Sequence, residues 1–133
     1  TAAFVATAPN ATTPIANSAR GLSKMAELQL RSSQWLVDED NNIVIGEGRM
    51  AILEHIEKTG SINQAAKLMK MSYKGMWSKI KATERHLNKI IVHADRKEGS
   101  HLSEEGKALL EKYKRLKKEC VSADDKIFDA IFR

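Results

Sequence analysis

Residues 60–80 read GSINQAAKLMKMSYKGMWSKI, and this stretch decides the fold. Ser61 and Ser72 each precede a short helical pattern, and a serine there caps a helix by accepting a hydrogen bond from a backbone amide two or three residues later. For Ser61 the candidate donors are the amides of Asn63 and Gln64. Because short helices are marginal in water on their own, the two segments must pack against each other and against the rest of the chain.

Apolar residues at helical spacing predict the buried face of each segment. In the first segment these residues are Ala65, Ala66, Leu68 and Met69, and in the second they are Met76, Ile80, Thr83 and Leu87. The second helix is predicted to run to about Asn88. Its opposite face carries Lys74, Ser78, Lys81 and Arg85, and Tyr73 stands in its exposed first turn.

Upstream, the sequence predicts a β-hairpin followed by a helix. Residues 28–37 (LQLRSSQWLV) and Ile43–Ile45 are β-prone runs on either side of DEDNN, a composition typical of a hairpin. Apolar residues then recur at three-residue spacing between Met50 and Ile56. This helix should end before Gly60, because glycine readily adopts the left-handed conformation that stops a helix.

Downstream, the period changes to that of a strand in residues 90–95 (IIVHAD). A turn with a single glycine, Gly99, follows and has Arg96 and Lys97 at its tip, so a second hairpin with a basic tip is predicted. Ser103 then caps a long last helix, with acidic residues in the first turn where they favour the positive helix end.

The last helix carries an apolar seam that predicts an interface. Its first members step along the helix by four, three and four residues: Leu109, Tyr113, Leu116 and Cys120. Such a seam can pack on its own domain or on a second copy. Ser122 is predicted to start a further short helix bearing Ile127, Phe128, Ile131 and Phe132. We favour a dimer interface for this end of the chain over packing on its own domain.

Length and composition indicate one globular domain in residues 25–133. The chain has 133 residues, of which 42% are hydrophobic and 29% charged, and no apolar run approaches the length of a membrane span. A single cysteine, Cys120, excludes an internal disulfide and fits a reducing compartment, so we expect a cytoplasmic protein. Residues 1–24 lack a signal-peptide pattern and are interpreted as a tag remnant, linker or flexible tail.

Positive charge is concentrated around the two capped segments. Residues 61–97 contain nine basic and two acidic residues, a net charge of +7, whereas the whole chain carries +5, so the remainder carries −2. A concentrated basic region favours a polyanionic partner.

The order of elements predicts a mainly α protein with a small β component: a winged helix-turn-helix with an N-terminal β-hairpin, a two-stranded wing and a long C-terminal dimerisation helix over about residues 103–133. In this fold the second capped helix enters the major groove of DNA with its first residues nearest the bases. The candidate DNA contacts are Lys67, Lys70, Ser72, Tyr73, Lys74, Ser78, Lys81, Arg85, Arg96 and Lys97. Tyr73, Lys74 and Ser78 are assigned to the base edges, and Lys81 and Arg85 to phosphates. For Trp77, core packing and a platform beside the DNA backbone both stay open.

The same stretch resembles the LysR-type winged helix, in which Gly-Ser, paired alanines and an apolar residue before serine recur. It is more similar still to the N-terminal domain of the ModE family of molybdate-dependent regulators, above all in MSYKGMW at residues 71–77. The resemblance covers about residues 28–120. It implies a homodimeric transcriptional regulator that reads a palindromic operator, with Ser72, Tyr73 and Lys74 at the DNA. Because the chain ends at Arg133, we expect no oxyanion-binding domain and no molybdate binding by this chain.

Other function classes find less support in the sequence. The four histidines have no metal-ligand spacing with each other or with Cys120, although His93 and His101 can face each other across the wing. No glycine-rich phosphate loop is present. We therefore expect neither an enzyme nor a cofactor. The alternative that stays open is a winged helix whose basic face binds an acidic protein partner.

Overall fold

The computed structural model describes residues 27–133, which form four helices and two antiparallel hairpins. In chain order the elements are β1 (Leu36–Val37), β2 (Ile43–Ile45), α1 (Glu47–Thr59), α2 (Ile62–Leu68), α3 (Tyr73–Leu87), β3 (Val92–Asp95), β4 (Gly99–Leu102) and α4 (Glu104–Phe132). The predicted winged helix-turn-helix is confirmed. The segment interpreted as a tag or linker, residues 1–24, lies outside the described residues.

The chain divides into two compact units. One unit is Ser33–Lys117, which holds both hairpins, the three shorter helices and the first half of α4. The described part of the other unit comprises residues 27–32 and 118–133.

The predicted caps set the helix boundaries. The Ser61 hydroxyl accepts a hydrogen bond from the Gln64 amide at 3.1 Å, and the Ser72 hydroxyl accepts one from the Gly75 amide at 2.9 Å. Gly60 is the C-cap of helix α1, and its φ of 71° is left-handed. Asn88 is the C-cap of helix α3 and has a similar left-handed conformation, with φ of 54°. Each cap satisfies backbone groups that the helix leaves without a partner.

The core of the Ser33–Lys117 unit lies where the three shorter helices, the wing and α4 meet. It consists of Ile45, Ile52, Leu53, Ile56, Ile62, Ala65, Ala66, Met76, Ile80, Ile91, Val92, Leu102 and Tyr113. Met69 and Leu87 pack against it half-buried. The prediction for Leu68 was wrong, because its side chain is 61% exposed. It is the last residue of a helix only seven residues long, where Ala65 and Ala66 already fill the contact with α3.

Arg49 and Thr83 attach the N-terminal hairpin to the helices. The Arg49 guanidinium donates to the carbonyls of Ile43 and Val44 and to the Thr83 hydroxyl. The Thr83 hydroxyl in turn donates to the Val44 carbonyl at 2.7 Å. One side chain from α1 and one from α3 therefore hold strand β2.

The wing is a hairpin of two four-residue strands, and it is anchored near its tip to Gly60 at the end of α1. His93 pairs with His101 across the strands, with ring centroids 5.4 Å apart, so the two histidines do face each other. The Ser100 amide donates to the Gly60 carbonyl at 2.9 Å. Gly99 adopts a φ of 81°, and a Cβ there would lie 2.6 Å from the Gly60 carbonyl oxygen. Glycine is therefore required at this close approach.

Helix α4 begins against the base of the wing and corrects two expectations. Tyr113 is 1% exposed, and its hydroxyl donates to the Gln34 carbonyl at 2.7 Å, so it belongs to the core and offers no surface to a second copy. The separate helix predicted from Ser122 is also wrong, because α4 runs unbroken to Phe132. A capping serine starts a helix only where the preceding turn is interrupted, and no glycine or proline lies between residues 107 and 132.

Charged residues occur throughout α4. Within residues 27–133, no helix combines the length and apolar character needed to cross a bilayer.

Gly106 provides a test of the packing between α4 and the wing. A Cβ at Gly106 would overlap the Ile91 carbonyl oxygen, whereas a Cβ at Gly48 would meet no atom within 4 Å. We expect Gly106→Ala to lower the free energy of unfolding by about 1–3 kcal/mol through overpacking. Gly48→Ala should raise it by about 0.5–1 kcal/mol, because alanine loses less backbone entropy in a helix. Urea titrations of both variants measure this, and equal stability of Gly106→Ala and wild type would contradict the described contact.

Candidate nucleic-acid interface

The ten predicted contact residues all lie on the surface. Ser72, Tyr73, Lys74, Ser78, Lys81 and Arg85 are exposed along α3 and at its cap, Lys67 and Lys70 are exposed at the end of α2 and in the following turn, and Arg96 and Lys97 are exposed at the wing tip. All ten belong to the Ser33–Lys117 unit. None is buried, so contact with a ligand would need no repacking of the core.

The start of α3 presents polar and aromatic groups from a fixed backbone. The Ser72 side chain is occupied by the cap, so its hydroxyl holds the first turn in place. Tyr73 is the first helical residue and is 48% exposed, and Lys74 follows it in the open. The free N–H groups and the positive dipole end of a helix favour anions at this position.

For Trp77 the structure supports core packing, and a place beside the DNA backbone stays a prediction. It is half-buried and packs against the hydrophobic core. Its indole N–H also donates to the Tyr73 hydroxyl at 2.7 Å, and the two rings meet edge to face with centroids 6.4 Å apart. The ring therefore belongs to the core on one side and supports the exposed Tyr73 on the other.

Glu84 is a buried residue that sequence reasoning missed. One carboxylate oxygen accepts the amides of Ile91 at 2.8 Å and Val92 at 3.2 Å, where the chain enters the wing. The other oxygen binds the Lys81 ammonium at 3.1 Å, and that ammonium also lies 4.7 Å from the centroid of the Trp77 ring. The only signal in the sequence was an acidic residue within a basic stretch.

The wing tip is shaped by Asp95, whose carboxylate accepts the amides of Lys97 at 2.7 Å and Glu98 at 3.3 Å. These N–H groups hold the pKa of Asp95 below its ordinary value, since they favour the charged carboxylate. The tight turn leaves the side chains of Arg96 and Lys97 exposed.

An open groove separates the start of α3 from the wing. Its lining includes Tyr73, Arg96, Ser61 and Asn63. The structure therefore brings Tyr73 and Arg96 together, although they are far apart in the sequence. Asn63, exposed in the first turn of α2, was not among the predicted contacts, and no pattern in the sequence distinguishes it from an ordinary surface asparagine.

The basic turn between α2 and α3 has a defined backbone. Lys70 adopts a left-handed φ of 56°, and the Met71 amide donates to the Ala66 carbonyl at 2.9 Å. This turn keeps Lys67 and Lys70 exposed directly before the Ser72 cap.

The predicted dimerisation residues other than Tyr113 differ in exposure. In the Ser33–Lys117 unit, Leu109 packs half-buried against the core and Leu116 is exposed. In the other unit, Ile127 and Ile131 are exposed, Cys120 is half-buried, and Phe128 stacks on Phe132 with centroids 4.9 Å apart. Their role in a dimer stays a prediction.

The ionisation of Glu84 predicts a pH-dependent contribution to stability. Burial raises the pKa of Glu84, but the amides of Ile91 and Val92 together with Lys81 outweigh it, and the net pKa lies below the ordinary 4.5. The contribution is therefore present above the ordinary pKa and is lost as the pH falls through the lower folded value.

We expect Glu84→Gln to lower the free energy of unfolding at pH 7 by about 1–3 kcal/mol, because the amide replaces a charged acceptor. The difference from wild type should narrow as the pH falls below the ordinary value of 4.5. Urea titrations across this range measure it, with the exposed Glu111→Gln as the matched control. A difference that stays constant with pH would show that the Glu84 charge contributes nothing.

Residues 48–107 match the family described as bacterial regulatory helix-turn-helix protein, lysR family. The molybdenum transport protein ModE of Azotobacter vinelandii is 29% identical over 99 residues, which cover 71% of this chain and 37% of that protein. The transcriptional regulator ModE of Yersinia pestis is 33% identical over 87 residues, which cover 62% of this chain and 32% of that protein. The chain thus spans about a third of the length of these curated relatives.

Solved structures share the fold. The CbnR_DBD–DNA complex superimposes with a TM-score of 0.54 at 20% identity, covering 63% of this chain and 95% of that one. CbnR, a LysR family transcriptional regulator, gives a TM-score of 0.50 at 20% identity, covering 59% of this chain and 27% of that one. The resemblance predicted from the sequence is confirmed, since residues 48–107 match the helix-turn-helix model of the lysR family.

Proposed function

We propose that this chain is a sequence-specific DNA-binding transcriptional regulator that binds a palindromic operator as a dimer. The observation that carries the proposal is the juxtaposition of the capped start of α3, with Tyr73 and Lys74 exposed, and the basic wing tip at Arg96, across one open groove. The net charge of +7 over residues 61–97 gives this face the attraction for phosphate that non-specific DNA binding requires.

The proposed contacts follow from position along α3. Tyr73, Lys74 and Ser78 lie toward the start of the helix and are assigned to base edges in the major groove. Lys81 and Arg85 lie further along and are assigned to phosphates, which position the helix without reading sequence.

The flanking elements extend the proposed footprint. Lys67 and Lys70 lie next to the start of α3 and would contact the backbone beside the groove. Arg96 and Lys97 project from the wing and would contact the neighbouring backbone or minor groove.

Relatives support the proposal in two ways. The CbnR domain with the same fold was solved as a DNA complex. One of the ModE relatives carries the name transcriptional regulator. Because the chain spans only about a third of the ModE proteins, the proposal concerns DNA binding and assigns no molybdate site to this chain.

The proposed dimer rests on the exposed apolar residues of α4. Ile131 is 70% exposed, and Leu116 and Ile127 are also solvent-exposed in the single chain. Pairing these residues with a second copy would remove apolar area from water. A two-fold protein axis would match a palindromic site, since each subunit would place one α3 in the major groove.

Selection of bound sites from a random DNA duplex pool at near-physiological salt tests the proposed function. We expect a two-fold symmetric motif for wild type and its loss in Tyr73→Ala plus Lys74→Ala, which removes the proposed base contacts. Lys112→Ala, a change of the same charge at an exposed position on α4, is the control and should retain the motif. No enrichment by wild type would instead favour the alternative, a basic face that binds an acidic protein.

Light scattering tests the dimer independently of DNA. We expect the mass of a dimer at micromolar concentration, and a monomer after Ile127→Glu plus Ile131→Glu, because paired carboxylates in an apolar interface are strongly disfavoured. Lys126→Glu places the same charge at a neighbouring exposed position and should leave the dimer intact. A wild-type monomer at micromolar concentration or above would refute the proposed dimer.

A further inference from the structure

The hydrogen bond between Trp77 and Tyr73 constrains what Tyr73 can do at the candidate interface. A tyrosine hydroxyl in water can act as donor or as acceptor, whereas an indole N–H can only donate. At a distance of 2.7 Å from Trp77 Nε1, the Tyr73 oxygen is the acceptor of this bond. The Tyr73 proton therefore points away from the Trp77 N–H, and a ligand can reach it because the Tyr73 side chain is 48% exposed.

This polarity has a direct meaning in the major groove. Guanine N7 and O6, adenine N7 and thymine O4 are acceptors, whereas cytosine N4 and adenine N6 carry donors. A hydroxyl that is free to rotate can satisfy both kinds of group. A hydroxyl already occupied as an acceptor by Trp77 favours base edges that present an acceptor.

Trp77 is itself held on its other sides. It packs against the hydrophobic core, and the Lys81 ammonium lies 4.7 Å from its ring centroid. Lys81 is bound at 3.1 Å by Glu84, which also accepts the amides of Ile91 and Val92 at the base of the wing. A continuous set of contacts therefore runs from the base of the wing to the Tyr73 hydroxyl.

We propose that Trp77 is a positioning residue for sequence readout, which orients the Tyr73 hydroxyl as a hydrogen-bond donor toward an acceptor on a DNA base. The proposal rests on the proposed DNA-binding function and adds to it the chemical class of the group that Tyr73 recognises. Trp77 itself needs no contact with DNA in this arrangement.

The test uses the duplex selected by the wild-type chain and a panel of its single base-pair substitutions. Dissociation constants are measured for wild type, Tyr73→Phe, Trp77→Phe and the double variant. Trp35→Phe is the matched control, because it makes the same chemical change at an indole that is 62% exposed on the segment before β1.

Tyr73→Phe should reduce discrimination at one base pair by about 3- to 10-fold, the effect of one net hydrogen bond. Trp77→Phe should reduce discrimination at that same base pair by about 2- to 5-fold and leave the other positions unchanged. The double variant should lose no more than Tyr73→Phe alone, because both changes remove one shared contact. Trp35→Phe should discriminate as wild type does.

A second variant covers the case in which Trp77→Phe does not fold. Benzothienylalanine at position 77 keeps the shape of the bicyclic ring and replaces the N–H by sulfur, so it removes the donor alone. It should relax the same base pair as Tyr73→Phe.

Three outcomes would overturn the proposal. Undiminished discrimination by the position 77 variants would show that the indole N–H does not orient Tyr73. Additive losses in the double variant would show two independent contacts. An equal loss of affinity on every sequence in Tyr73→Phe would place its hydroxyl on a phosphate. Failure of wild type to select any site is a different result, because it refutes the proposed function, and the inference falls with it.

Discussion

The buried carboxylate of Glu84 is the interaction on which the geometry of the interface depends. It lies on α3 and accepts the amides of Ile91 and Val92, so α3 and the wing are joined through one charged group. A buried carboxylate is costly unless it is fully hydrogen-bonded, and here two amides and the Lys81 ammonium supply those bonds. The spacing between α3 and the wing is therefore set by hydrogen-bond geometry as well as by apolar packing.

Much of the helix-turn-helix could be predicted because its signals are local. Ser61, Ser72 and Gly60 act on backbone groups within four residues, and such caps need no knowledge of the rest of the fold. The buried stripe of α3 was also predictable, since Met76 and Ile80 repeat at the helical period. The candidate contacts on α3 followed, because they occupy the opposite face.

The parts that could not be predicted depend on partners distant in the sequence. Tyr113 matched the spacing of an apolar seam on α4. Its hydroxyl donates to the carbonyl of Gln34, which is 79 residues earlier in the sequence, and this contact holds the Tyr113 side chain in the core. Leu68 fitted an inner face, but α2 ends before its side chain reaches a partner. Glu84 and Asn63 gave no periodic or motif signal, because their importance comes from the elements that tertiary packing places beside them.

The anchoring of the wing at both ends has a consequence for how such a domain can diversify. At its base the strands are held by Glu84 and by Ser103, whose amide donates to the Ile91 carbonyl, and near its tip Ser100 is held by the Gly60 carbonyl. Between Asp95 and Gly99 only residues 96–98 lie outside the paired strands. Substitutions or insertions at these three positions would change the length and charge of the tip. The hydrogen bonds that join the wing to α3 and to Gly60 involve residues outside the tip, so they would be retained.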